Sequence, residues 1–283
     1  DVLSKSLNAN PSFCFDLTIF DEAHRTAGAK NSGLFSLALH DNYIKSKKRL
    51  FMTATERLIR PWIIKKAKQY DRIVFSMDDE SLYGPIFDRF NFGEAISKGA
   101  ISDYKIIVAG VRKREVYDLI KKDKLIIDVE EGSKEYYTYA QNIFRQIILI
   151  KTMKEFEVSK VITFHNSIKN AQAFINGISS SDLSIRRMLF KLWVNFNEDS
   201  FYIDHINGNM SAGERKEILE EFKQTEYGII SNARCLIEGV DVPFINSIYF
   251  VNPKNSLIDI VQACGRALRK PIGTKDKTAY FIV

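Results

Sequence analysis

FDLTIFDEAHRTAG, residues 15–28, is an apolar run that stops abruptly on two acids, Asp21 and Glu22, followed by Ala23 and His24. Runs that are apolar on both faces belong to parallel sheets covered by helices. Working outward, comparable β-rich runs recur at 49–52, 72–75, 104–109, 160–164, 202–206, 228–231, 247–251 and 278–283. Helical patterns lie between several of them, at 167–177, at 211–222 and at 257–268. The second of these opens with Ser211-x-x-Glu214, a capping-box pattern. Strand–helix alternation of this kind predicts an open α/β sheet. Such sheets carry their chemistry on loops beyond the carboxyl ends of the strands, which is where Asp21 and Glu22 fall.

The chain has 283 residues, enough for two domains with a core in each. At 45% hydrophobic and 27% charged it reads as a soluble globular protein. A net charge of +6 is compatible with nucleic acid but does not single it out. Three cysteines, Cys14, Cys235 and Cys264, form no C-x-x-C pair, so a reducing, cytoplasmic setting is expected, with no disulfide framework and no zinc site. The four histidines lack metal-ligand spacing. No run approaches the length that crosses a membrane, and the first residues hold no signal-peptide core. The turn-rich stretch 76–101 places a junction between a first domain, 1–97, and a second, 98–283. Within the second, the charged segment 111–155 reads as a helical insertion, and a further insertion at 179–197 carries Arg186 and Arg187.

An acid at a strand exit can hold Mg²⁺ through water against nucleotide phosphates, and a neighbouring acid can deprotonate an attacking water. A bare Asp-Glu pair is more often a helix cap or a solvated turn. The rest of the chain argues otherwise. RLFMTATE, 49–56, puts Thr53-Ala54-Thr55 directly after another apolar run. KVITFHNSIKNA, 160–171, is a strand followed by a polar turn. GIISNARCLIEGVDVP, 228–243, brings Gly239 and Asp241 after a strand and a loop. DIVQACGRALRK, 259–270, contains Gln262-x-x-Gly265-Arg266-x-x-Arg269. Two arginines three apart on one helix share a side, the glycine before them allows close approach to phosphates, and an arginine so placed can stabilise charge on a transferring phosphoryl group.

In order and spacing these segments resemble motifs II to VI of superfamily 2 helicases and translocases of the DEAH-box type, over nearly the whole chain. More narrowly, NARCLIEGVDVP, VQACGRALRK and FGEAISKGAISDYKI look like the helicase region of bacterial restriction enzymes and related mobile-element proteins. The resemblance implies two RecA-like parallel-sheet domains that use ATP and Mg²⁺. It implies that Asp21 holds Mg²⁺ through water and that Glu22 is the general base. His24 would contact the second domain, and Thr53 and Thr55 would couple the nucleotide site to the nucleic-acid track. Gly239 and Asp241 would lie near the ribose. Gln262, Gly265 and Arg266 would support the cleft, and Arg269 matches the arginine finger. Asn232 departs from the Thr-Asp more common at the start of motif V.

A motor of this family also needs a P-loop. Fourteen glycines include no Gly-Lys dipeptide, and Gly273-Thr274-Lys275 follows motif VI and does not fit. The expectation is therefore a fragment: a first RecA-like domain incomplete at its N-terminus, followed by a complete second one. The parent would be an ATP-dependent DNA helicase or translocase of a restriction or repair system, while this chain alone would be inactive. DNA, duplex or single-stranded, is the expected partner. Nuclease, methylase or specificity domains or subunits would lie outside these residues, and no membrane is involved. The alternative is a catalytically inactive helicase-derived module that binds nucleic acid or protein. The basic runs at 45–49, 65–68 and 112–114 read as solvated faces before phosphate tracks, His165 as a structural hydrogen-bonding residue, and Cys264 as packing.

Overall fold

The computed structural model describes residues 7, 10, 12–29, 34–123, 125–126, 129–178, 183–193, 197–233, 242–254, 256–271, 273 and 277–283. The chain divides into two compact units, Asp1–Phe90 and Asn91–Val283. The division falls ahead of the 97/98 junction expected above.

Unit 1 is built on two parallel strands, β1 (Phe15–Phe20) and β3 (Ser46–Phe51). A short antiparallel pair, β2 (Gly28–Ala29) and β4 (Val74–Phe75), lies apart from them in the hydrogen-bonding pattern. Phe20 stacks on Phe51, their ring centroids 4.8 Å apart, and Tyr83 meets Phe51 edge-on at 4.9 Å. Helix α1 (Pro61–Gln69) starts where proline costs least, at its first turn, and has no buried residue. A single turn, α2 (Glu80–Tyr83), is capped by Asp79, whose side chain accepts from the Ser81 N–H.

Unit 2 is a six-stranded parallel sheet in the order β5–β10–β9–β6–β8–β7. Its strands are β5 (Asp103–Ile107), β6 (Lys160–His165), β7 (Phe201–Asn207), β8 (Tyr227–Ala233), β9 (Ser247–Phe250) and β10 (Thr278–Ile282). All six residues of β6 are buried, as expected of a central strand covered on both faces. One face packs against α4 (Lys113–Lys122), α5 (Lys134–Glu155), α6 (Ile168–Asn176) and α7 (Ile185–Leu192), through Val161, Ile229, Tyr249 and Ile282 from the strands. The other face packs against α8 (Ala212–Gln224) and α9 (Leu257–Ala267), through Ile162, Phe164, Ile230 and Phe281. A short helix, α3 (Phe92–Ser97), opens the unit under an Asn91 cap. The capping box read at Ser211 and Glu214 forms at the start of α8.

Residues 111–155 are not a decoration on this unit. They supply α4 and α5, and Ile143, Leu149, Ile150 and Met153 of α5 are fully buried. Charged residues dominate the ends of that segment, while its middle carries the stripe that covers the sheet. Gln146 of α5 donates to the carbonyls of Phe174 (2.8 Å) and Leu183 (2.9 Å), which fastens the helix layer at a polar point.

Candidate functional site

In unit 1, parallel pairing sets the site. Phe20 lies opposite Phe51, so β1 and β3 end together. Pairing continues one step further: the Met52 N–H donates to Phe20 O and the Ala23 N–H to Met52 O, both at 2.9 Å. That step brings the DEAH segment and the Thr53–Thr55 segment side by side. After β1 the chain turns sharply. Glu22 adopts a left-handed conformation, φ 51° and ψ 45°, which costs a non-glycine residue about 1 kcal/mol or more. Its N–H donates to Asp21 Oδ1 at 2.9 Å. Ala23–Thr26 then form a 3-10 turn in which Ala23, His24 and Thr26 are buried.

His24 joins the two motifs. Its Nδ1 lies 3.2 Å from Glu22 Oε2 and 3.2 Å from Thr53 Oγ1. The Thr53 hydroxyl spends its single proton on Thr55 O at 2.9 Å and accepts from the Thr55 N–H at 3.3 Å. Toward His24 it can therefore only accept, which puts the imidazole proton on Nδ1 and makes that N–H the donor to both Glu22 and Thr53. The Glu22 carboxylate is thus held by a buried imidazole, and the imidazole is held by the threonine of the neighbouring strand exit.

Arg57, just beyond TATE, was not singled out on the sequence. Its Nη1 donates to Ala27 O at 2.9 Å, and its guanidinium lies about 3.2 Å from where a Cβ on Gly28 would stand. Gly28 has φ 117°, so glycine is called for there by conformation as well as by space. Thr26 adds a bond from its Oγ1 to Tyr83 OH at 3.0 Å. No motif marks Arg57 or Tyr83; both reach the acid loop through tertiary contact alone.

In unit 2, α9 carries Gln262 with Gly265 three and Arg266 four residues further on, on one side of the helix. Ser256 caps the helix, accepting from the Asp259 N–H at 3.3 Å. Arg266 is buried. The shared helical face expected for Arg266 and Arg269 is not formed. The helix ends at Ala267 with Leu268 as its C-cap, and Arg269 is exposed on the segment that leaves it, its N–H bonded to Arg266 O at 3.2 Å. Pro271 accounts for the stop, because it disfavours helical backbone at Lys270. Apart from its chain neighbours and the backbone of α9 itself, no atom of a described residue lies within 4 Å of where a Cβ on Gly265 would stand. Cys264 is buried and its thiol is pushed up to about 12 by that burial, so it packs and does not act as a nucleophile. Gly239 and Asp241 lie outside the described residues.

Beneath the carboxyl ends of β6, β7 and β8 runs a buried polar row. His165 Nε2 bonds Thr163 Oγ1 at 2.8 Å, and His205 Nδ1 bonds Ser231 Oγ at 2.9 Å. Burial, with Arg145, His205 and Lys254 adding to it, drives His165 down to about 3, and burial also lowers His205. Both are neutral structural groups at neutral pH.

The conserved C-terminal domain of helicases matches residues 142–271 of the chain. The whole chain superimposes on the ATP-dependent Type ISP restriction-modification enzyme LlaBIII bound to DNA, with a TM-score of 0.73 and 27% identity, covering 100% of this chain and 19% of that one. Residues 142–271 thus match a helicase C-terminal domain, and the chain as a whole is similar to superfamily 2 helicases. Among curated relatives of this superfamily, probable helicase A859L of African swine fever virus (strain Badajoz 1971 Vero-adapted) is 26% identical over 275 residues. That match takes in 94% of this chain and 26% of the viral protein, so the helicase segment spans about a quarter of such relatives. A fragment structure described as an HsdR subunit of a type I restriction enzyme from Vibrio vulnificus YJ016 shares the fold, with a TM-score of 0.55 and 15% identity, over 98% of this chain and 45% of that one.

Proposed function

We propose that these residues are motor elements of an ATP-dependent DNA translocase or helicase of the restriction-enzyme kind. The observation that carries the reading is the junction of Asp21, Glu22, His24 and Thr53 at two adjacent strand exits. A carboxylate held by a buried imidazole at the mouth of a parallel sheet is placed to take a proton from water. Through Thr53, a change at that carboxylate reaches the neighbouring loop.

Asp21 is exposed, offers hard oxygen and has one oxygen committed to the Glu22 N–H, which suits Mg²⁺ held through water. The ion would neutralise charge on the nucleotide phosphates. Glu22 is the base for the attacking water, and exposed Arg269 supplies positive charge to the transferring phosphoryl group. Gln262 and Arg266 hold the α9 face, and the open position at Gly265 lets phosphate oxygens come close to the helix. No G-x-x-x-x-G-K-[ST] sequence occurs in the 283 residues, so the phosphate cradle is to be supplied by chain beyond them. DNA as the track rests on the likeness to LlaBIII.

The test is steady-state ATP hydrolysis, with and without DNA, by these 283 residues and by a longer protein that includes a P-loop. Hydrolysis only by the longer protein, stimulated by DNA, is the expected result. In that protein Glu22→Gln abolishes turnover while ATP still binds, and Arg269→Ala lowers it at least about a hundredfold. DNA binding without ATP turnover in either form would leave a binding scaffold and overturn the motor reading.

A further inference from the structure

The segment that carries Arg269 out of α9 is fastened at successive residues. Leu268 O accepts from the Ser102 N–H at 2.8 Å, and Lys270 Nζ donates to Gly99 O at 3.3 Å. Between them, Arg269 O accepts from Lys277 Nζ at 2.6 Å. The same ammonium donates to Pro243 O at 2.7 Å, at the close of the GVDVP sequence. Lys277 stands just ahead of β10, which is held in parallel register between β9 and β5.

We propose that Lys277 is a positioning residue for Arg269, latching the exit of the QxxGRxxR helix to the exit of the GVDVP loop by one cation shared between two carbonyls. The proposal rests on the motor reading above. Its logic is geometric. Arg269 is exposed and has left its helix, so the placement of its backbone depends on how its own peptide is held. A charge-assisted bond to that peptide's carbonyl holds it more firmly than a neutral one. Sharing the cation with Pro243 also ties two segments separated in sequence, so a shift in one is passed to the other. Lys277 is partly buried, with its charge disfavoured relative to water, and both carbonyls compensate that loss. Nothing in the motif spacing marks this lysine, which lies beyond the last motif.

The test uses the longer ATP-hydrolysing protein and four variants: Lys277→Met, Lys277→Arg, Arg269→Ala and the Arg269→Ala/Lys277→Met double variant. Lys277→Met is expected to lower kcat about tenfold or more, with KM for ATP little changed, because displacing a transition-state group costs rate before binding. Lys277→Arg, which can still bridge two carbonyls, is expected to restore most of kcat. In the Arg269→Ala background the Lys277→Met change is expected to add no further loss, the signature of action through Arg269. Three results overturn the proposal: unchanged kcat in Lys277→Met, no rescue by arginine, or an equal further loss in the double variant. Should Lys277→Met fail to fold, Lys277→Gln, which is too short to span both carbonyls, is read in the same way. The two readings fail differently. Near-normal turnover in Arg269→Ala defeats the finger assignment itself, whereas a crippled Arg269→Ala beside a normal Lys277→Met defeats only the latch.

Discussion

Unit 1 and unit 2 solve the same problem, holding charged groups at the ends of parallel strands, with very different amounts of core. In unit 2 both faces of the sheet are covered, and Phe164, Phe174 and Phe222 are each almost wholly buried. In unit 1 Leu17 and Ile19, on one face of β1, are 50% and 54% exposed, and α1 buries nothing. The acids of unit 1 are therefore held by a local chain of hydrogen bonds, from Glu22 to His24 to Thr53 to Thr55. Arg266 of unit 2 rides on a helix whose Ala263, Cys264 and Ala267 are packed into the core, and Arg269 lies just past the end of that helix. A group held by local bonds responds to changes at its neighbours, while a group on a packed helix moves only with the helix. On the proposed function, the contrast suits a base at Glu22 that meets water and a buried Arg266 that holds its helix in place.

The largest expected difference tests that contrast directly. Phe174→Ala in α6 removes a ring with no exposed surface and is expected to cost about 3–5 kcal/mol. Leu17→Ala in β1 is expected to stay within about 0.5 kcal/mol of the parent. The two tryptophans separate the readouts, because Trp62 lies in unit 1 and Trp193, packed on Phe201 and Tyr227, lies in unit 2. Urea unfolding of Phe174→Ala in a Trp62→Phe background, and of Leu17→Ala in a Trp193→Phe background, gives each cost. Equal costs would break the comparison.

The same contrast governs what the sequence made legible. The strands of unit 2 were readable because burial on both faces demands continuous apolar runs, as in KVITF. The segment 111–155 reads on the sequence as a helical insertion and not as part of the core because its charged ends mask the internal apolar stripe of α5. In unit 1 the strands β1 and β3 were readable, but β2 and the 3-10 turns were not, since two to six residues carry no period. The positions of Asp21, Glu22, Thr53 and Thr55 followed from strand exits. The bond from His24 to Thr53 did not, because it depends on which strands are neighbours in the sheet. The end of α9 before Arg269 could have been read from Pro271.

A smaller effect distinguishes the units by acid. His165 is buried in unit 2 and takes a proton only near pH 3, whereas in the unfolded chain it does so near its usual 6.5. Between those values the unfolded state binds more protons, so the stability of unit 2 falls as pH falls through that window. The contribution of His165 is on the order of 2 kcal/mol at pH 5. Buried His205 adds in the same direction. The midpoint of the Trp193 transition, taken at pH 7 and pH 5, is expected to drop less in His165→Gln, which keeps a partner for Thr163 but cannot take up the proton. An identical drop in both proteins would show that the acid sensitivity lies elsewhere.

The smallest expected change is the most telling about where each unit departs from what its packing requires. Unit 1 departs at Glu22, a non-glycine residue held at positive φ. Unit 2 departs at Gly265, a glycine inside α9 with open space, among the described residues, where its Cβ would be. Glycine within a helix costs about 0.5–1 kcal/mol relative to alanine, and here no contact explains the choice. Gly265→Ala is therefore expected to raise the stability of unit 2 by about 0.5–1 kcal/mol, seen as a higher urea midpoint at Trp193. In the longer protein the same change is expected to lower ATP turnover, because the added methyl occupies the space in which phosphate oxygens approach the helix. A gain in stability with unchanged turnover would leave the glycine without that role. A loss of stability would mean that the space beside α9 is filled by the chain itself, and the site in unit 2 would then have to be drawn around Arg269 alone.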